Sequence, residues 1–337
     1  MTTTGTPAVA ELFAQARHLM EPELRAVVTG LHPKLATIAG YHMGLLDRDG
    51  RYQNAHGGKL LRPALTFLAA RTVGAQPAMA MPGAVAIQLG HEFSLIHDDI
   101  TDRDRVRRGR PTVWTVWGID LAILAGDAVH ALAETVLADH PRAAKALADG
   151  IQGMCAGQAD DFTLPARSTV TMADYQRMVA GKTGALIVAS CQLGALLADA
   201  EQPSVDTLTR VGAQLGFAYQ AVDDWLGIWG DPAVTGKPVG ADIAERKPSL
   251  PIITALAAGG PAGEDLATIL ATDGDLTEDH IASATALLSQ AGADLTTRDH
   301  AHRHAQLAAE ALDELSIPVD VRRGWDSLIT FMVNRIT

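Results

Sequence analysis

Apolar residues recur at three- and four-residue spacing over eight long stretches of this chain. They are Ala8–Thr29, Pro63–Ala75, Pro82–Asp99, Asp120–Leu137, Pro141–Asp161, Met172–Ala198, Ser204–Ile228 and Leu250–Ala258. That period puts an apolar stripe on one face of a helix. No run shows the alternation of a half-buried strand. Breaks are expected at His32-Pro33, Gly57-Gly58, Ala75-Gln76-Pro77, Arg108–Pro111, Leu164-Pro165 and Gly230–Gly240, where Gly and Pro interrupt the pattern. Hydrophobic residues make up 47% and aromatics only 4%, so Ala, Leu, Val and Ile must build the core. Such a core suits close-packed helices better than sheets, which favour aromatic and β-branched side chains. With no internal repeat and no long linker, residues 1–337 read as a single all-α domain. Roughly ten or more helices are expected at ordinary helix lengths. A short N-terminal tail of about residues 1–7 is expected to be flexible. Beyond Gly259 the chain stays helical in pattern but turns polar and rich in Ala, Asp and Thr.

The formal net charge of -12 argues against a nucleic-acid binder. An anionic ligand would need cations to mediate. Cys155 and Cys191 cannot form a disulfide framework or a Cys-based zinc site, and read as small core residues in a reducing compartment. No basic segment precedes an apolar run at the N-terminus. The longest nearly uncharged stretch, Gly184 to Ala198, is short for a bilayer and reads as a buried core helix. The expectation is a soluble, cytoplasmic protein without stable membrane insertion.

The strongest chemical signal is His91-Glu92-Phe93-Ser94-Leu95-Ile96-His97-Asp98-Asp99-Ile100-Thr101-Asp102. Asp98 and Asp102 are four apart, so a helix places them on one face. Two carboxylates so placed repel unless a cation lies between them. Their hard oxygen ligands suit Mg²⁺, which bridges to substrate phosphates. The alternative, a solvated acidic helix end, is weakened by the apolar run before it. Tyr219-Gln220-Ala221-Val222-Asp223-Asp224-Trp225-Leu226-Gly227 repeats the theme after another apolar stretch. Facing each other, two such clusters would clamp metal ions around one diphosphate, and the metals would reverse the local sign.

Cations complete the pattern. Gly57-Gly58-Lys59-Leu60-Leu61-Arg62-Pro63 places Lys59 and Arg62 at a glycine-to-helix junction, where backbone amides and cations together make a phosphate site. Arg107-Arg108-Gly109-Arg110-Pro111 follows the first acidic cluster, and Lys182, Lys237 and Lys247 flank the second. Gly181-Lys182-Thr183 imitates the end of a nucleotide-binding loop, but Gln176 stands where that motif needs glycine and no strand precedes it. His300 and His304 share a helical face, yet Asp299 and Arg303 beside them point to a solvated helix rather than a metal site. Trp114 and Trp117 read as packing residues.

In order and spacing, the segments from Lys59 to Leu250 resemble the polyprenyl synthetase family of head-to-tail trans-prenyltransferases. The resemblance implies a helical bundle around a central cavity. It implies condensation of isopentenyl diphosphate with allylic diphosphates, and about three Mg²⁺ ions held with substrate. Asp98 and Asp102 would bind two ions and Asp223 a third, with Asp99 and Asp224 supporting and Asp242 acting through water. The allylic diphosphate would be gripped by Arg107, Lys182, Lys237 and Lys247. The isopentenyl diphosphate would rest on Lys59, Arg62, His91 and Arg108. The Lys182 carbonyl, Thr183 and Gln220 would present oxygens to the developing carbocation. A homodimer is the family's expectation. This chain departs from the family at Gly227, where a third Asp is usual.

In the family, residues just before the first acidic cluster form the floor of the tail pocket, here Gly90, Phe93 and Ser94. Ser94 opens a position that a second aromatic would close, so the expected product is the C20 geranylgeranyl diphosphate, with C15 farnesyl diphosphate as the alternative. A class I terpene cyclase is disfavoured because neither Asn54 nor Asn334 lies in a metal motif. A non-catalytic partner subunit is disfavoured because Asp98, Asp102 and Asp223 are all present.

Overall fold

In this computed structural model the described residues are 7–53, 58–167, 169–232 and 238–334. Of the structure 78% is helical with almost no sheet, which establishes the all-α class. Lys237 and the first six residues of the expected N-terminal tail lie outside the described residues.

The chain forms two compact units. The first comprises residues 1–151, 186–209 and 315–325. It contains α1 (Pro7–Thr29), α2 (Pro33–His42), α3 (Leu61–Thr72), α4 (Met81–Thr101), α5 (Val113–Trp117) and α6 (Ile119–Val136). It also takes in α9 (Ala185–Leu197) from Leu186 onward, the first part of α7 (Pro141–Thr163), and the beginnings of α10 (Gln202–Trp229) and α16 (Val319–Val333). The expected break at His32-Pro33 is the joint between α1 and α2, with Pro33 in the first turn of α2, where its missing N–H costs nothing. Between α4 and α5 the chain makes a two-residue antiparallel hairpin, β1 (Val106–Arg107) and β2 (Arg110–Pro111). It lies at a predicted break and is too short to show alternation.

Small side chains carry much of this unit's packing. Ala64, Ala69 and Ala70 of α3, Ala84 and Ala86 of α4, and Ala122, Ala125 and Ala133 of α6 are buried. Ile38, Ile96, Val113, Ala122 and Ala125 form one cluster, edged by Trp114 and Trp117. Burial of each large apolar side chain stabilises by about 1.5–3 kcal/mol. Trp114 donates to the Asp104 carbonyl at 2.7 Å, and Trp117 packs edge-on to Tyr41 at 4.9 Å, as packing residues do. Trp325 is fully buried and donates to Thr72 Oγ1 at 2.8 Å, tying the C-terminal helix to α3.

The second unit comprises residues 152–185, 210–314 and 326–337. It contains the end of α7, α8 (Met172–Val179), a π-helical turn (Ala180–Gly184), most of α10, α11 (Ala241–Ala244), α12 (Leu250–Ala258), α13 (Gly260–Leu270), α14 (Glu278–Gln290) and α15 (Ala293–Leu312). Thr171 and Asp174 form a reciprocal capping box that starts α8. The polar C-terminal region has a packing role: Leu266, Ala284, Leu288 and Ala293 bury against Ile228, Ile243, Ile252 and Ala255.

The stretch Met172–Leu197 is the one helical run among the described residues long and apolar enough to cross a membrane, and most of it is buried. That agrees with a core helix. Cys191 is buried as expected, and burial pushes its thiol up to about 12. Cys155 is exposed instead, because it lies on the outer face of α7 rather than in the core.

Candidate active site

In the first unit, the chemistry gathers at the end of α4 and on the hairpin that follows. Asp98 is half-buried and Asp102 exposed at the helix C-terminus, where carbonyl ends already make the potential negative. A cation there relieves both the carboxylate pair and the helix end. Asp99 points inward and is fully buried. Arg107 Nε, returned by the hairpin, donates to Asp99 Oδ1 at 2.5 Å, and its other end lies 3.6 Å from Asp104. Asp99 Oδ2 is buried with no hydrogen-bond partner among the described residues. Burial raises the Asp99 carboxyl despite Arg107.

Two turns earlier on α4 lies a group that the motif alone does not single out. Glu92 is 2% exposed and takes a bidentate pair from Arg108, at 3.2 Å and 3.1 Å. Gln88 Nε2 donates to it at 2.5 Å, and His42 Nε2 lies 3.0 Å away. Burial opposes the Glu92 charge, yet Arg108 and His42 hold its carboxyl well below the usual range. Arg108, anchored from below, lies against Gly58, one residue from Lys59. Arg62 opens α3 behind a left-handed Leu60 with no side-chain cap, so the first amides of that helix are not closed off by a side chain. Burial, then the nearby Arg62 charge, depresses His91 strongly, so it is neutral at pH 7 and acts as a hydrogen-bonding group. Gly58, Arg62, His91 and Arg108 are thus brought to one region.

The residues named for chain length lie on α4 in the same unit. The Phe93 ring stacks on His130 of α6 at 4.6 Å and meets His97 edge-on at 5.9 Å. The Ser94 hydroxyl donates to the His91 carbonyl at 2.8 Å. Gly90 faces Leu147 and Ile151 of α7.

In the second unit the centre is Asp224, 3% exposed on α10. Tyr175 OH and the Leu250 N–H donate to its Oδ2, each at 2.8 Å, and Gln220 Nε2 donates to Oδ1 at 2.7 Å. Burial raises the Asp224 carboxyl in spite of these donors. Thr183 in turn hydrogen-bonds to Gln220 Oε1, and Lys182 pairs with Asp161 at the end of α7. Gly157 and Gly181 let α7 and the π turn meet backbone to backbone: a Cβ at 181 would lie within 2.8 Å of Gly153 O and Gly157 Cα. Lys182-Thr183 therefore occupies a widened helical turn, not a nucleotide loop. Lys247 is half-buried; burial lowers its ammonium, but Asp242, Asp161 and Asp224 together raise it above the ordinary lysine value.

Lys182, Thr183, Gln220, Asp223, Asp224, Asp242 and Lys247 all belong to this unit, and Lys59, Arg62, His91, Asp98, Asp99, Asp102, Arg107 and Arg108 to the other. Glu92, His42, Tyr175 and Asp161 were missed. Asp161 carried a readable signal, since Asp160-Asp161 is a third Asp pair ending an apolar-striped helix. His304 Nδ1 lies 2.6 Å from Gln214 Oε1, its ring packs on Phe217, and burial lowers it to about 4.

Among the described residues, no set of three or more His, Cys, Asp or Glu side chains is placed to hold a metal. The carboxylates come in pairs. That fits Mg²⁺, which takes one or two carboxylates and completes its shell with water and phosphate oxygens. The orphaned, buried Asp99 Oδ2 beside the Asp98/Asp102 pair is a second sign of fit.

Comparison with known proteins identifies the family. The polyprenyl synthetase family matches residues 45–288. The chain is 41% identical over 309 residues to a geranylgeranyl diphosphate synthase of Mycobacterium tuberculosis, spanning 90% of this chain and 88% of that one. It is 40% identical over 328 residues to a (2E,6E)-farnesyl diphosphate synthase of Mycobacterium bovis, spanning 95% and 91%. The crystal structure of a polyprenyl synthetase from Streptomyces coelicolor superposes with a TM-score of 0.89 at 42% identity, covering 96% of this chain and 99% of that one. With acidic pairs, clustered cations and an all-helical frame in place, the chain belongs to the polyprenyl synthetase family and is a prenyltransferase, of a kind that joins isopentenyl and allylic diphosphates with a divalent metal.

Proposed function

We propose that the enzyme makes the C20 geranylgeranyl diphosphate by repeated head-to-tail addition of isopentenyl diphosphate, with Mg²⁺ as its metal. The observation that carries the length is at Ser94. Its neighbour Phe93 is turned onto His130, while Ser94 adds no bulk and folds its hydroxyl onto its own helix.

Asp98 and Asp102 hold metal in the first unit, and Asp223 and Asp242 in the second, with Asp99 and Asp224 as their buried supports. When bound, the metal ions neutralise the departing diphosphate and ease ionisation of the allylic C–O bond. Arg107, Lys182, Lys237 and Lys247 bind the allylic diphosphate. Lys59, Arg62, neutral His91 and Arg108 bind isopentenyl diphosphate. The Lys182 carbonyl, Thr183 and Gln220 stabilise the allylic cation through their oxygens. The isopentenyl double bond attacks that cation, and the released diphosphate takes the proton lost. No side-chain nucleophile is needed. Apolar helices exclude the water that would quench the cation.

The whole chain is read as one catalytic domain, soluble in the cytoplasm and homodimeric. Ile119, Ile123 and Leu124 of α6 are exposed at helical spacing, an apolar stripe that a second copy would cover.

The decisive experiment incubates the protein with Mg²⁺, labelled isopentenyl diphosphate and each of the C5, C10 and C15 allylic primers. Mass analysis should give C20 from all three. Accumulation of C15 would reassign the length, a cyclic hydrocarbon would reassign the reaction, and no turnover would point to a partner subunit.

A further inference from the structure

Position 227, where the chain lacks the third acidic residue usual in its family, is not vacant space. A Cβ built there would lie within 2.8 Å of Cγ and both oxygens of Asp242. Real Cβ atoms do not tolerate such contacts, so the Asp242 carboxylate fills the volume that any side chain at 227 requires. Asp242 is only 7% exposed, so it has little freedom to swing away.

Its placement is set by backbone. The Gly240 N–H donates to the Ile228 carbonyl at 3.1 Å, which docks the start of α11 on the end of α10. Gly240 adopts φ 72° there, a left-handed turn that glycine makes without strain. Ile243 is buried in the same cluster as Ile228. The Lys247 N–H closes the segment on the Asp242 carbonyl at 2.9 Å.

Residues 223 and 227 are one helical turn apart on the same face of α10. A carboxylate seated against 227 therefore stands beside Asp223 much as Asp102 stands beside Asp98. We infer that Asp242 is the second carboxylate of the second acidic pair, supplied by α11 instead of α10, and that Gly227 is the positioning residue that admits it. The glycine is an exchange of one carboxylate for another. This inference rests on the reading that these carboxylates hold the metal.

The test uses the full-length protein with Gly227→Asp, Asp242→Gly, and both changes together. Two readouts are taken: the rise in melting temperature on adding Mg²⁺ with inorganic diphosphate, and the Mg²⁺ dependence of condensation. Gly227→Asp should crowd the seat and raise the Mg²⁺ needed for half-maximal stabilisation roughly 10- to 100-fold. Asp242→Gly should do the same, and the double variant should recover most of the loss, because it restores one carboxylate to one seat. If Gly227→Asp tightens the Mg²⁺ response and the added Asp242→Gly undoes that gain, position 227 is a lost ligand and the inference is wrong. Should Gly227→Asp fail to fold, Asp242→Asn keeps the shape without the charge. It should weaken the Mg²⁺ response measured against its own metal-free melting temperature, and a wild-type response would overturn the inference. A wild-type protein that shows no Mg²⁺-dependent condensation would instead sink the functional reading. Normal condensation with a tightened Gly227→Asp would sink only the seat.

Discussion

The two acidic clusters solve one problem by different means. In the first unit Asp98 and Asp102 come from a single helix, and the buried Asp99 between them is neutralised by a cation, Arg107, returned by a hairpin. In the second unit the buried Asp224 is held by neutral donors, Tyr175, Gln220 and the Leu250 amide, drawn from three separate segments. The first cluster is a local arrangement that helical spacing dictates. The second is tertiary, and its geometry depends on α8, α10 and the start of α12 staying together. Damage should therefore be felt as lost chemistry in the first and as lost fold around the site in the second.

Replacing Asp98 with Ala should give the largest effect, a fall in kcat of roughly 10³-fold with unchanged helicity, since the proposed mechanism gives this half-buried carboxylate a metal to hold and no packing role. Steady-state rates and circular dichroism check this, and near-normal turnover would contradict the role. The next largest concerns Glu92. Glu92→Gln removes the buried partner of Arg108 and His42 and should cost about 3 kcal/mol in denaturant unfolding. Because folding depresses the Glu92 carboxyl, it binds fewer protons folded than unfolded. Its contribution is present above the unfolded value near 4.5 and is lost as pH falls below that. The variant should therefore show a flatter decline in melting temperature below about pH 4.5 than wild type. An identical acid limb would remove Glu92 from that account.

Tyr175→Phe is the counterpart in the second unit. It takes one neutral donor from a buried carboxylate and should cost about 1 to 2 kcal/mol, with Asp98-like losses in rate absent unless Asp224 moves. A fall in kcat as large as that of Asp98→Ala would mean the two clusters are less different than described. Smallest in its effect on rate is Ser94→Phe, which crowds a buried position at a cost of about 1 kcal/mol and should shift the product from C20 toward C15. An unchanged product would place the floor elsewhere, with α6 and α7 as the first alternatives.

Much of the frame was legible in the sequence because it is local. The boundaries of α7 and α12 fall within two residues of the periodic stretches, and Asp98 and Asp102 share a face by spacing alone. What stayed hidden depends on partners distant in the chain. Glu92 looks like any helical glutamate until His42 and Arg108 close on it. Tyr175 and Leu250 meet Asp224 only after folding. The helices beyond Gly259 were recognisable as helices, but their purpose was not, because the surface they bury belongs to α10, α11 and α12. Gly227 was read as a missing carboxylate for the same reason: nothing in the local motif shows that Asp242 arrives there.

The contrast between the two cysteines offers a practical handle. Cys191 is sealed in the first unit with a thiol that burial makes hard to ionise, while Cys155 stands exposed on α7, between the glycines whose neighbour is the Lys182 turn. A maleimide dye should attach once per native molecule and twice after denaturation. The protein thus carries a built-in single labelling point on the helix that carries Asp161, from which fluorescence can report on that turn when substrate is added, without engineering a new site.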